Sequence, residues 1–154
     1  MTAPNPTTTS GLTPQHVGNV GLYWCCYKLT RLGWNAMSTA RNARGVDIIA
    51  YANDASTVRA LQVKALSRKS PVPLGKSLDK IMGDFWLIVV GAQADGPETF
   101  ILTPGEVRAA ALRGEKDGRI SYWLPPSRYR AVPFREAWHR IGNAPVESSI
   151  KGDL

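Results

Sequence analysis

Apolar positions recur at three- and four-residue intervals between residues 16 and 32, with Val17, Val20 and Trp24 on one line and Leu22, Cys25, Leu29 and Leu32 on the next. That spacing predicts an amphipathic helix, and Gly33 is placed to stop it. After it the period shortens. Residues 34–37 read as a short edge strand. Gly45-Val46-Asp47-Ile48-Ile49-Ala50-Tyr51 and Val58-Arg59-Ala60-Leu61-Gln62-Val63-Lys64-Ala65 read as strands, with the turn-forming Asn53-Asp54-Ala55-Ser56 between them. Strands joined so closely pair as an antiparallel hairpin. Residues 69–76 hold Pro71, Pro73 and Gly75 and are predicted as a loop, with a short helix over 77–82. Phe85-Trp86-Leu87-Ile88-Val89-Val90 is apolar without interruption, as a central strand covered on both faces should be. Residues 99–102 form another strand. Thr103-Pro104-Gly105-Glu106 then opens a helix to about Arg113, with a capping hydroxyl, a proline at the first turn and an acid behind it. A strand over 119–124 and a closing helix over 134–141 complete the pattern. The order predicts the α/β (α+β) class, a mixed central β-sheet flanked by helices. One domain is expected over residues 15–142, between a tail at 1–14 and another at 143–154.

Composition sharpens this outline. The chain has 154 residues, 44% hydrophobic and 20% charged, enough to bury one core. Its net charge of +7 favours a polyanionic partner, nucleic acid before anionic membrane. The two cysteines, Cys25 and Cys26, are adjacent, closer than ordinary disulfide geometry allows, and no Cys/His cluster has zinc spacing. Free thiols fit a reducing compartment, so a cytoplasmic location is expected. The Thr- and Pro-rich start carries no leader pattern, and the longest apolar run, residues 85–92, is too short to span a bilayer. No P-loop, dinucleotide fingerprint or Ser/His/Asp order occurs. His16 and His139, and the aromatic residues, read as structural.

The hairpin carries the chemistry. A turn centred on Asp54-Ala55 sets Asn53 opposite Ser56 and, counting outward, Asp47 opposite Gln62, with Lys64 one diagonal step away. Alternation puts Gln62 and Lys64 on one face, and such neighbours lie within about 4.5–8 Å of each other. Asp, Gln and Lys are poor strand formers in strands otherwise built of Ile, Leu, Val and Ala. Their convergence marks a functional site more readily than three unrelated surface residues. The competing interpretation is a small α/β scaffold whose polar hairpin face is an interaction surface.

Gly45-Val46-Asp47-Ile48-Ile49, a short hairpin and Leu61-Gln62-Val63-Lys64-Ala65 together resemble the core of the PD-(D/E)XK, restriction-endonuclease-like nuclease superfamily, in its Gln-x-Lys variant. The stretch from Gly18-Asn19 through Leu29-Thr30-Arg31-Leu32-Gly33-Trp34 is similar to the helix that precedes the hairpin there. The resemblance spans residues 16–102. It implies a restriction-endonuclease-like core and a metal-dependent hydrolase, an endonuclease acting on DNA. It also implies that Asp47, Gln62 and Lys64 are catalytic. Asp47, Gln62 and the carbonyl of Val63 would be ligands of Mg²⁺ or Mn²⁺, and Lys64 would orient or deprotonate the attacking water or stabilise developing charge.

One departure bears on activity. Members of that superfamily usually carry a glutamate on the first helix, whereas here Asn19 and Leu22 hold the matching positions and no acid occurs before Asp47. Asp47 is then the one carboxylate to place at the metal, so weak metal binding is expected. The alternative is an inactive nuclease-fold protein that binds nucleic acid or a protein partner. Arg41 and Arg44 before the hairpin, and Arg68, Lys69, Lys76 and Lys80 after it, are expected to contact phosphates, Arg41, Arg44, Arg68 and Lys69 foremost. Nucleic acid, most naturally DNA, is the expected partner, no membrane is involved, and assembly as a homodimer is compatible with the pattern.

Overall fold

The structure, a computed structural model, describes residues 11–40 and 44–142. Helix α1 (Pro14–Arg31) is followed by β1 (Asn35–Ser38), β2 (Ile48–Tyr51), β3 (Val58–Leu66) and β4 (Val72–Gly75). Then come β5 (Phe85–Val90), β6 (Glu98–Leu102), α2 (Pro104–Ala110), β7 (Leu112–Lys116), β8 (Arg119–Leu124) and α3 (Pro126–Tyr129). A five-stranded sheet runs β1-β2-β3-β5-β6, and a three-stranded one runs β4-β8-β7. In the large sheet β3 and β5 are parallel, while β1–β2, β2–β3 and β5–β6 are antiparallel. The mixed α+β architecture expected from the pattern is therefore the one observed.

Each face of the large sheet has its own core. On one lie Cys25, Leu29, Ile48, Leu61, Leu87 and Ile101, under α1. On the other lie Trp86, Ile88, Phe100, Leu102, Val107 and Tyr129, under the small sheet and α2. The apolar run of β5 feeds both, since all its residues but Phe85 are buried. Desolvation pushes the Cys25 thiol far up, aided by the neighbouring Cys26, Glu136 and Asp47. Cys25 is buried as expected for a structural thiol, while Cys26 is only half-buried.

Several elements differ from the expected pattern. The helix begins inside the predicted tail, at Pro14, because the Thr13 side chain caps it by accepting from the His16 N–H at 3.2 Å. The predicted loop 69–76 contains β4. Its Pro73 is tolerated because β4 is an edge strand. No helix forms over 77–82, where the chain makes turns that carry it back to β5. The helix after Thr103 has the expected cap, completed by Glu106, but stops at Ala110, and the chain enters β7, a strand the sequence pattern did not suggest. Asp117 and Gly118 (φ 53° and 74°) turn β7 into β8 with the left-handed pair that short hairpins favour. The closing helix is replaced by two single 3₁₀ turns, Val132–Phe134 and Trp138–Arg140. The Glu136 N–H is committed to the Thr99 carbonyl at 2.7 Å, and Arg135 bridges to Phe100. Pairing with the open edge of β6 thus displaces the local helix. Residues 1–10, 41–43 and 143–154 lie outside the described structure, and with them most of both predicted tails.

Gly21 sets how closely α1 approaches the sheet. A Cβ there would sit 2.4 Å from the Ala65 Cβ and 3.6 Å from a Val63 methyl. Gly21→Ala gains helix propensity of about 1 kcal/mol. It also forces apart two backbones that no rotamer change can relieve, at a cost of about 1–3 kcal/mol. Net destabilisation is expected as a lower urea midpoint at constant m, with recovery in Gly21→Ala/Ala65→Gly. A raised midpoint in the single variant would refute this account of the contact.

Candidate functional site

Over Ile48–Tyr51 and Val58–Leu61 the hairpin register is the one counted from the turn, but the pairing ends there, short of Asp47 and Gln62. Ile48 faces Leu61 and Tyr51 faces Val58. One step further, the Asp47 N–H donates to the Leu61 carbonyl at 2.8 Å, and Asp47 Oδ2 accepts from the Val63 N–H at 2.8 Å. The two bonds bracket Gln62. The Asp47 carbonyl accepts from the Thr39 N–H at 2.9 Å, and the Thr39 hydroxyl donates to the Val46 carbonyl at 2.6 Å. Backbone and side chain of Asp47 are thus fixed by both neighbouring strands.

These bonds mark where β2 leaves β3. Residues 62–66 of β3 pair with β5 on one side, whereas β2 pairs only as far as Leu61 on the other. The Asp47 carboxylate takes the Val63 N–H that a continuing strand would have taken. Beyond this point a cleft of about 570 Å³ opens, lined by Arg44, Gln62, Lys64, Lys80 and Trp86 among others. Residues 73–75 of β4, the segment expected to be a loop, form part of its wall. Gly45 is part of the rim; its φ of 69° favours glycine, and a Cβ there would lie 2.6 Å from Met82 Cγ and Sδ, so Met82 packs against bare backbone.

Gln62 and Lys64 share the cleft face as alternation requires, and Gln62 is in register with Trp86 of β5. The Lys64 ammonium lies 5.4 Å from the centre of the Trp86 ring, within cation–π reach, and Trp86 is held by an indole bond to the Met82 carbonyl at 3.2 Å. Asp47 is not among the residues that line the cleft; its carboxylate turns to the β3 backbone. Arg44, Lys64 and Lys80 outnumber the one acid on the lining, Asp79, so the cleft is basic.

The other expected residues are more scattered. Arg68 and Lys69 are exposed past the end of β3 and do not line the cleft. Arg68 is four positions along the chain from Lys64 and two past the end of β3, at most about 13 Å away along an extended chain. Arg41 lies outside the described residues. Helix α1 backs β3 on the opposite face, through Gly21 against Val63 and Ala65. Asn19 is exposed, and Leu22 packs on the core around Cys25. Sequence pattern alone marked Trp86 as core packing. Its place beneath Lys64 follows from the parallel β3–β5 register, which hydrophobicity does not reveal.

Among the described residues no three His, Cys, Asp or Glu side chains gather as a metal site. The Asp47 carboxylate, the Gln62 amide and the Val63 carbonyl are all hard oxygen donors, the kind Mg²⁺ and Mn²⁺ take, but they bring one negative charge. They fit a hard cation held weakly. Among the described residues no helix is long and apolar enough to cross a membrane.

Among solved structures the chain is similar to a bacterial homing endonuclease, I-Ssp6803I, with a TM-score of 0.55 and 14% sequence identity, covering 84% of this chain and 93% of that one. At that identity the likeness establishes a shared fold. No family model matches the chain, and no curated protein matches its sequence.

Asp47 therefore has a structural duty apart from any chemistry. Asp47→Ala strands the Val63 N–H, at a cost of about 1–3 kcal/mol. Asp47→Asn keeps an acceptor oxygen and should retain most of the wild-type stability. Urea unfolding of the three proteins checks this, and equal midpoints for Asp47→Ala and wild type would show that the bond contributes nothing.

Proposed function

We propose that the chain is a metal-dependent nuclease-like domain of the PD-(D/E)XK type, in its Gln-x-Lys form, acting on DNA phosphodiester bonds at the cleft. The observation that supports this reading is the basic cleft lined by Gln62 and Lys64, beside which the Asp47 carboxylate is held on the Val63 N–H. The shared fold with a bacterial homing endonuclease supports it. Mg²⁺ or Mn²⁺, when bound, would polarise the phosphoryl oxygen and lower the pKa of the attacking water. Asp47, Gln62 and the Val63 carbonyl are the residues that would hold it. Gln62 directs its amide into the cleft, and Lys64 brings its ammonium to the scissile phosphate or to the attacking water, supported from below by Trp86. Arg44 and Lys80 would hold the strand within the cleft. Arg68 and Lys69, and Arg41 before the hairpin, would touch phosphates further out.

A second reading has its own support. With one carboxylate at the hairpin, an exposed Asn19 and a core-packed Leu22, the domain is a candidate for DNA binding without cleavage. A panel of single-stranded, duplex and branched DNA with Mg²⁺ or Mn²⁺ separates the two. Slow cleavage is expected, faster with Mn²⁺, which binds such sites more tightly. It should be abolished in Asp47→Asn, a variant that preserves the strand bond, and fall strongly in Lys64→Ala. Titration calorimetry should show weak Mn²⁺ binding that is lost in Asp47→Asn and unchanged in Asn19→Asp, whose side chain lies on the face of the sheet away from the cleft. Leu22→Glu should instead destabilise the fold by burying a charge. Tight Mn²⁺ binding that survives Asp47→Asn would mean the metal site lies elsewhere. DNA affinity with neither cleavage nor metal binding would select the binding-only reading.

The flanking cations give a separate expectation. Neutralising Arg44, Arg68 and Lys69 should each reduce the slope of log affinity against log salt by about one unit if each holds a phosphate. An unchanged slope in the triple variant would leave them as solvated surface charges.

A further inference from the structure

We propose that the outward tip of the β7–β8 hairpin is a second DNA-binding surface, which grips phosphates of duplex DNA beside the cleft through Lys76, Lys116 and Arg119; it rests on the reading of the cleft as a DNA site. The sequence pattern marked Lys76 as a phosphate contact but did not join it to Lys116 and Arg119, because β7 was not expected to be a strand.

The hairpin register sets Lys116 directly opposite Arg119 and Gly114 opposite Ser121. Directly opposed residues share a face, and two like charges in that position destabilise a strand pair. An anion between them converts the repulsion into binding. The nearby acids do not cancel the charge. Glu115 is on the other face of the hairpin and pairs with Arg113 at 3.5 Å. Asp117, in the turn, is the one acid that shares a concavity with Lys116 and Arg119, a hollow of about 530 Å³ that also includes Ser121.

A second hollow of about 310 Å³ adjoins Arg119 from the other side and brings in Lys76. This joins the hairpin to the cleft. Gly75 lines the cleft and the next residue, Lys76, lines the hollow at the hairpin tip, so one step of backbone separates the two surfaces. On the same face a Cβ at Gly114 would lie 2.6 Å from the Trp123 ring, so the indole rests on bare backbone there. A two-stranded ribbon of this kind fits the major groove of B-DNA, about 12 Å wide, with its basic tip against the flanking phosphates.

The test measures binding of the full chain to a long duplex by fluorescence anisotropy over a salt series, without divalent metal. Wild type is compared with Lys116→Ala/Arg119→Ala and with the charge-preserving Lys116→Arg/Arg119→Lys. In the neutralised variant the slope of log affinity against log salt is expected to fall by about two units, one for each phosphate no longer held, with the charge-preserving variant close to wild type. Its Tm should be unchanged or slightly raised, because a like-charge pair has been removed; lower affinity with a lower Tm would point to a folding role and overturn the proposal. Wild-type affinity and slope in the neutralised variant, while wild type binds DNA, would overturn the hairpin surface and leave the cleft reading standing. Failure of wild type to bind DNA at all would overturn the cleft reading itself. An equal loss of affinity for single-stranded DNA of the same length would remove the duplex assignment.

Discussion

The structure turns on the separation of β2 from β3 at Asp47. Two antiparallel strands that kept pairing would bury the edge of β3 and leave no opening. Here a carboxylate takes over the Val63 N–H at the point of divergence, so the ladder ends without an orphaned donor. The aspartate closes the hairpin ladder and opens the cleft in the same place. Its position depends on Thr39, Leu61 and Val63 together, which is the kind of support that a site held to small tolerances needs.

The route of the chain between β3 and β5 has equal consequences. A parallel pair needs a crossover, most often a helix packed on the sheet. In this fold the crossover contributes β4 to a second sheet and returns through turns, so the cleft is walled by an edge strand. Gly83 and Asp84 fasten that return to β3. A Cβ at Gly83 (φ 92°) would meet the Ala60 carbonyl at 2.9 Å, and the Asp84 carboxylate accepts from the Ala60 N–H at 2.7 Å. The same detour places β8, and with it the basic hairpin tip, next to the cleft.

The charge of the molecule has a corresponding layout. The carboxylates of Glu98 and Glu106 are engaged with Arg130 and Arg140 around β6 and α2, as parts of the structural frame. Burial pushes the Glu106 carboxyl up, but hydrogen bonds from Arg140 and Thr103 outweigh it and hold it below its ordinary value. The cations along the cleft and the hairpin tip, by contrast, meet few acids. Part of the molecule's positive charge therefore lies unpaired by acids along the cleft and the hairpin tip.

Local sequence determined the first helix, the hairpin and its register, the doubly covered β5 and the capped start of α2. Each depends on side-chain periodicity, turn chemistry or a cap, which act over a few residues. The shared face of Gln62 and Lys64 followed from alternation along β3, whereas the turn of the Asp47 carboxylate onto the Val63 N–H did not follow from counting outward from the turn. Tertiary structure decided the rest. Local signals favoured a loop at Pro71–Gly75, but an edge strand needs only one partner and β8 provided it. Helical spacing over residues 134–141 lost to the open edge of β6, which claimed the Glu136 N–H. The direction of β5 relative to β3, and so the position of Trp86 beneath Lys64, is a long-range pairing that alternation cannot encode, because residues on either parallel or antiparallel neighbours alternate alike. The close approach of α1 to β3, made possible by the missing Cβ of Gly21 against Ala65, is visible only once helix and strand are packed.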